Sequence, residues 1–240
     1  MSVIVVSGAA SGIGAAVRRA AVSAGHRVLA LDLSAPQERD LDPGTHWERC
    51  DVTDPDDIDR ALDRGHAALG ECAIGLVHCA GVYLRSPSEA LDLDIWRRVL
   101  DINASGSFHL ASLVGRRMLE KGRGSIVLLS STAHALGDAV EPSAAYAASK
   151  GAVASLGRQL AVEWGARGIR TNVVVPGVID TPMTTIVDHE DGFRRVVSTI
   201  PLGRLGTADE VAQVCLFLTS DAASFVNGAV VPVDGGQLVS

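Results

Sequence analysis

The chain has 240 residues, 47% hydrophobic and 20% charged, as expected of a folded domain with a sizeable core; aromatics are only 4%, so Ala, Val, Leu and Ile must build it. Lys and Arg number 21 against 28 Asp and Glu, and the net charge of −7 argues against nucleic acid or an anionic membrane surface as a partner. No apolar run approaches the roughly 20 residues of a membrane helix, no basic leader precedes the first apolar run, and the 4 cysteines include no CxxC pair; free thiols in a reducing cytoplasm are expected, with no metal site.

Residues 3–6 form an apolar run that reads as a strand buried on both faces. It leads into Ser7-Gly8-Ala9-Ala10-Ser11-Gly12-Ile13-Gly14, and a helical pattern over 12–24 follows, with Gly25 as its left-handed stop. Glycines at 8, 12 and 14 let the chain turn tightly and bring backbone N–H groups to a pyrophosphate at the helix N-terminus. The G-x3-G-x-G spacing differs from the commonest dinucleotide fingerprint. Tight-turn packing alone is the competing account, and the strand-to-helix placement favours the nucleotide. Residues 27–31 make a second strand, and Asp32 ends it 18 residues after Gly14. A carboxylate there accepts hydrogen bonds from the adenosine ribose and repels a 2′-phosphate. Neither Leu33 nor Ser34 supplies a basic partner, so NAD is expected over NADP.

A weaker strand at 46–50 comes next, then a helix over 55–69 introduced by Thr53-Asp54 with proline in its first turn. Strands at 74–78, 125–129, 171–175 and 229–233 alternate with helices over 94–120, 143–165 and 208–219. Such alternation calls for a parallel sheet covered on both faces. The expected fold is one α/β domain over 1–240, a Rossmann-type doubly wound sheet of about seven strands. Residues 182–202 break the alternation and are too long for an ordinary connection, which marks them as a substrate lid.

Within the 143–165 helix, Tyr146 and Lys150 stand four apart and share a face. An ammonium near a phenol, joined by a positive nicotinamide ring, would lower the phenol pKa from its usual value near 10. The tyrosine could then act as general base in alcohol oxidation or general acid in carbonyl reduction. Alone, a Tyr-x3-Lys pair is more often an exposed helix face than a site.

Together these motifs resemble the short-chain dehydrogenase/reductase family over nearly the whole chain. Gly8, Gly12 and Gly14 match its glycine-rich loop, where Ser11 and Ile13 would also touch the cofactor, and Asp51-Val52 matches its adenine contact. Val77-His78-Cys79-Ala80-Gly81 is similar to its Asn-Asn-Ala-Gly motif, with His78 and Cys79 replacing both asparagines and removing an amide that steadies the sheet centre. The resemblance implies a catalytic set of Asn103, Ser131, Tyr146 and Lys150. Ser131 would bind the substrate oxygen, Lys150 would bind the nicotinamide ribose and lower the pKa of Tyr146, and Asn103 would hold a water in a proton relay. Ser130 is the competing serine. Pro176-Gly177-Val178-Ile179-Asp180-Thr181 is similar to the loop that holds the nicotinamide, through Ile179 and Thr181, and Val233-Asp234-Gly235-Gly236 resembles the family's C-terminal ending.

The implied activity is NAD(H)-dependent interconversion of a secondary alcohol and a ketone. An NADPH-dependent ketoacyl-type reductase is the alternative, and a methyltransferase or a cofactor-binding regulatory protein stands further off. Tyr83, Leu136, Val140, Met183, Ile186, Val187 and Phe193 are candidate lining residues, which points to a hydrophobic or cyclic substrate; Arg85, Arg194 and Arg195 are left unplaced. The Ser131-to-Tyr146 interval of 15 should enlarge the loop 132–143 beside the substrate, with His134 in it. Asp188-His189-Glu190-Asp191 reads as a solvated lid tip more readily than as a cation site. Broad apolar arcs on the 94–120 and 143–165 helices, with the family's habit, imply a homotetramer.

Overall fold

Strands apolar on both faces require helices above and below them, and the computed structural model, which describes residues 2–34, 36, 43–184 and 190–240, builds that arrangement. Its strands are β1 (Val3–Ser7), β2 (Arg27–Asp32), β3 (Thr45–Arg49), β4 (Gly75–His78), β5 (Gly124–Leu129), β6 (Ile169–Pro176), β7 (Ile179–Asp180), β8 (Gly206–Thr207) and β9 (Val230–Val233). Seven of them form one all-parallel sheet in the order β3-β2-β1-β4-β5-β6-β9, while β7 and β8 pair separately. The strand order reverses between β1 and β4, and a crevice opens at the C-terminal ends of the strands on either side of such a switch point.

The helices are α1 (Gly12–Ser23), α2 (Pro55–Leu69), α3 (Leu93–Leu100), α4 (Gly106–Lys121), α5 (Ala144–Gly165), α6 (Glu190–Ser198) and α7 (Ala208–Thr219). Ile58 and Leu62 of α2, Leu110 and Val114 of α4, and Val153 and Leu160 of α5 pack with Val5, Leu76 and Leu128 on one face. Val17 and Ala21 of α1 and Val211 and Cys215 of α7 pack with Ile4, Val6 and Val77 on the other. Alternate strand residues thus serve alternate cores, which is why these runs show no polar period. Helix α5 lies directly on β6: a Cβ at Gly157 would come within 2.2 Å of the Val173 side chain.

Local signals set the ends. Asp54 caps α2 by accepting from the N–H groups of Asp56 at 2.9 Å and Asp57 at 3.2 Å, and Gly70 closes it in the left-handed region at φ 71°. A cap of that kind contributes about 1 kcal/mol. The helix expected over 94–120 is interrupted, since α3 and α4 are joined by a π turn at Asp101–Ser105. The stretch expected as a lid contains α6 at Glu190–Ser198, with turns on its C-terminal side.

Candidate active site

A cleft of about 1480 Å³ runs along the C-terminal ends of the strands. Every residue expected to touch cofactor or substrate oxygen lines it, from Gly8, Ser11, Gly12, Ile13, Gly14, Asp32, Leu33, Asp51 and Val52 at one end, through Cys79, Ala80 and Gly81, to Ser131, Tyr146, Lys150, Pro176, Gly177, Ile179 and Thr181. Asn103 is the exception and lies behind the wall, fully buried.

At the outer end the backbone itself makes a cradle. Gly8 has φ 65°, and a Cβ there would stand 2.8 Å from the Ala80 nitrogen; one at Gly14 would stand 2.0 Å from the Gly8 carbonyl oxygen. Gly12, at φ 52°, has only the Thr181 side chain nearby, at 3.6 Å. Two glycines therefore pull α1 against the sheet and the third leaves its face open at the helix N-terminus, where anionic groups are favoured. Asp32 accepts from Ala10 N–H at 3.0 Å and from Ser34 N–H at 2.9 Å, so its carboxylate also ties the glycine loop to β2. Asp51 accepts from the Thr53 N–H at 2.9 Å and hydroxyl at 2.7 Å. These residues fit a dinucleotide.

At the inner end, α5 delivers Tyr146 and Lys150 to the termini of β4 and β5. Lys150 Nζ donates to the Leu129 carbonyl at 2.8 Å and stands 5.6 Å from the centroid of the Tyr146 ring. Burial lowers the Lys150 pKa to about 8. Burial raises the Tyr146 pKa, and a hydrogen bond with the Ser131 hydroxyl opposes it. The expected depression of the phenol is therefore absent from the chain by itself. The reason is geometric: the ammonium faces the ring and a carbonyl, while low dielectric penalises the phenolate. Tyr83 meets the same ring edge to face at 4.9 Å. The two serines differ in use, for Ser130 donates to the Lys150 carbonyl at 2.7 Å whereas Ser131 turns to Tyr146.

Asn103 sits in the π turn. Its amide accepts from Val82 N–H at 2.8 Å and donates to the Val82 carbonyl at 2.9 Å and to Ser149 Oγ at 3.0 Å. Both amide hydrogens are engaged, so the side chain clamps the segment after β4 to α5. A Cβ on Gly81 would approach its oxygen to 3.1 Å and Lys150 Nζ to 3.6 Å, which explains glycine there.

The loss of both motif asparagines is answered from another strand. Ser7 Oγ accepts from the N–H groups of Cys79 at 3.2 Å and Ala80 at 3.3 Å, so its one proton goes to His78 Nδ1 at 2.6 Å. His78 thus carries its own proton on Nε2, a buried atom with no partner among the described residues. Burial, and then the Lys150 charge, push its pKa down to about 3. Below its ordinary value of 6.5 the unfolded chain takes up a proton that the folded chain does not, so stability falls as pH drops from 6.5 toward 3. By pH 4 this amounts to roughly 3 kcal/mol. In urea unfolding at pH 7 and pH 4, His78→Asn should flatten that loss; an unchanged pH dependence would assign acid lability to other groups.

Beyond the catalytic cluster, Gly177 packs against Asp234, whose carboxylate accepts from the N–H groups of Gly236 at 3.0 Å and Leu238 at 2.8 Å. The two late motifs therefore meet in one corner. The Ile179 carbonyl accepts from Thr184 Oγ1 at 2.6 Å, which is itself 3.3 Å from the Thr181 hydroxyl. In the loop 132–143, His134 donates from Nδ1 to the Ser131 carbonyl at 2.7 Å and does not line the cleft; it braces the serine from behind. Glu141 does line it, paired with Arg85 and accepting from the Tyr83 hydroxyl at 3.2 Å. Of the apolar lining candidates, Tyr83, Leu136 and Met183 face the cleft, while the partly exposed Val140 and Phe193 do not. Ile186, Val187, Asp188 and His189 lie outside the described residues.

The family model described as enoyl-(acyl carrier protein) reductase matches residues 8–237. D-threitol dehydrogenase of Mycolicibacterium smegmatis is 41% identical, with 99% of this chain and 93% of the relative aligned. Cis-4-hydroxycyclohexanecarboxylate dehydrogenase of Sinomonas cyclohexanicum is 39% identical over 98% of this chain and 95% of its own. A solved short-chain type dehydrogenase/reductase from Mycobacterium ulcerans superposes with a TM-score of 0.90 at 33% identity, covering 99% of this chain and 90% of that one. With a family match over most of its length and relatives above 30% identity end to end, this chain belongs to the short-chain dehydrogenase/reductase family.

Proposed function

We propose that the protein is an NAD(H)-dependent dehydrogenase that interconverts a secondary alcohol and a ketone. The observation that carries this reading is the convergence of Ser131, Tyr146 and Lys150 at one end of a cleft whose other end is the glycine cradle and Asp32. The glycine loop, Asp32, Asp51, Lys150, Ile179 and Thr181 would hold NAD, and NAD when bound supplies the ring carbon that accepts or returns hydride.

Ser131 orients the substrate oxygen through its hydroxyl. Tyr146 gives a proton to that oxygen in reduction and removes it in oxidation. Because burial favours the neutral phenol, the chain alone is poised as an acid, and oxidation should speed up with rising pH as the phenol loses its proton. Lys150, whose ammonium faces the Leu129 carbonyl and the tyrosine ring, would hold the nicotinamide ribose beside Tyr146.

The test is NADH appearance from purified protein with NAD and a panel of cyclic, aliphatic and polyhydroxy secondary alcohols, with NADP in parallel. Turnover with NAD on part of the panel is the expected result. None on any member, with NADH still bound, would sink the reading. A likeness to the 3-oxoacyl-(acyl-carrier-protein) reductase of Salmonella typhimurium, 34% identical over 98% of this chain, keeps an NADPH-linked ketoacyl-type reduction as the second reading, and Asp32 argues against it. Asp32→Ser should narrow the gap between NADH and NADPH affinities by about tenfold or more, since it removes a charge facing the 2′ position. An unchanged affinity ratio would take Asp32 out of the cofactor choice.

The assembly we propose is a homotetramer. Phe108 of α4 and Val162 of α5 are 51% and 82% exposed, and Phe217 and Phe225 near α7 are 47% and 102% exposed, which is more apolar surface than isolated chains usually leave in water. Light scattering should give the mass of four 24.9-kDa chains; a monomer would overturn the assembly. No helix among the described residues is long and apolar enough to cross a membrane.

A further inference from the structure

Arg85 and Arg194 are already neutralised, by Glu141 and Glu190. Arg195 is not. It projects from α6, is half-buried, lines the cleft, and has no ion pair or side-chain hydrogen bond among the described residues. Gln237, which also lines the cleft and bonds Thr199 four residues after Arg195, presents a second unfilled group. Thr199 Oγ1 donates to the Val196 carbonyl at 2.8 Å, so it can only accept from Gln237 Nε2 at 3.1 Å. That fixes the amide orientation and leaves Gln237 Oε1 buried without a donor among the described residues. A cation and an acceptor, each partly withdrawn from water and each unmatched, are unfavourable unless a ligand completes them. Arg97 and Arg98 also border the cleft, but from the exposed side of α3, where Arg97 pairs with Asp94.

We propose that the substrate is a secondary alcohol bearing a carboxylate, clamped by the Arg195 guanidinium, with Gln237 Oε1 accepting from a hydroxyl of the same molecule. The planar fork of arginine matches a carboxylate through two parallel N–H donors. A phosphoryl group would call for a second withdrawn cation beside Arg195, whereas Lys150 is turned to the Leu129 carbonyl and Arg97 and Arg98 lie on the exposed side of α3. This assignment rests on the dehydrogenase reading for the identity of the site, and it alters the expectation of a purely hydrophobic substrate.

The deciding experiment is titration calorimetry of the NADH-loaded protein with butanoate, cyclohexanecarboxylate and benzoate, each beside its uncharged carboxamide. The parent should prefer at least one acid over its amide by about tenfold or more, the size of a charge-assisted hydrogen bond. Arg195→Gln should erase that preference, and Arg195→Lys should restore part of it. Equal affinity for acid and amide across the panel in the parent would overturn the proposal, as would a preference that survives Arg195→Gln. So would weakened NADH binding in Arg195→Gln with the acid preference intact, since the guanidinium would then serve the cofactor. If no hydroxy acid is turned over while the Arg195-dependent preference persists, the dehydrogenase reading fails and the carboxylate site stands.

Discussion

Replacing Tyr146 with phenylalanine is expected to lower turnover about a thousandfold while NADH binding and thermal stability stay near those of the parent. The ring would keep its edge-to-face contact with Tyr83 and its place beside Lys150 Nζ. Only the hydroxyl and its hydrogen bond with Ser131 would go, so the packing loss is small. The residual rate should also lose the rise with pH that proton removal by the phenol imposes. Turnover within a few-fold of the parent would mean that another group moves the proton. Nothing else in the cluster is placed for it, because the Ser130 hydroxyl is engaged by Lys150 and the Asn103 amide by Val82 and Ser149.

The opposite outcome is expected of Gly14→Ala, in which binding fails first. Its Cβ would fall 2.0 Å from the Gly8 carbonyl oxygen and 2.7 Å from the Gly8 carbonyl carbon, both backbone atoms that no rotamer can relieve. The start of α1 must then withdraw from β1, which disturbs the cradle and the packing of Ala16 and Val17 at once. A stability loss of about 1–3 kcal/mol in urea and a fall of about a hundredfold in NADH affinity are anticipated. Gly25→Ala is the control. Unlike Gly14 it is left-handed, at φ 84°, but nothing lies within 4 Å of its Cβ, so only a backbone strain of about 1–2 kcal/mol is expected, with NADH binding intact. Normal NADH affinity in Gly14→Ala would refute the cradle.

Much of this architecture was legible beforehand, for a physical reason. A parallel strand covered on both faces must be apolar at every position, so 3–6, 27–31 and 125–129 declared themselves without any alternation. The pairing of Tyr146 with Lys150 was legible because it is local, one helical turn. What was hidden depends on groups far apart in the chain. His78 looked like a loss to the sheet centre until Ser7, 71 residues earlier, supplied its partner. That Arg195 has no counter-charge among the described residues while its neighbour Arg194 has one is likewise decided by the fold. Helix α6 left a trace that was passed over: Phe193, Val196, Val197 and Ile200 follow helical spacing, but Gly192 and the flanking charges masked so short a pattern. Burial, which raises the pKa of the Tyr146 phenol in the chain by itself, likewise comes from the fold and not from the spacing on the helix.

The π turn at Asp101–Ser105 has a consequence for chain length. It holds one residue more than a regular turn would, so losing any single residue between 101 and 105 would let the helix wind evenly. Five residues of a π turn rotate the chain about as far as four of an α-helix, so α3 and α4 would keep nearly the same relative orientation while the side chains inside the turn changed direction. Asn103 would then point away from Val82 and Ser149, and the wall behind Lys150 would come apart although no residue touching the substrate had changed. At this point the enzyme counts residues more strictly than it reads them: substitutions in the turn other than at Asn103 should be forgiven, and a deletion should not.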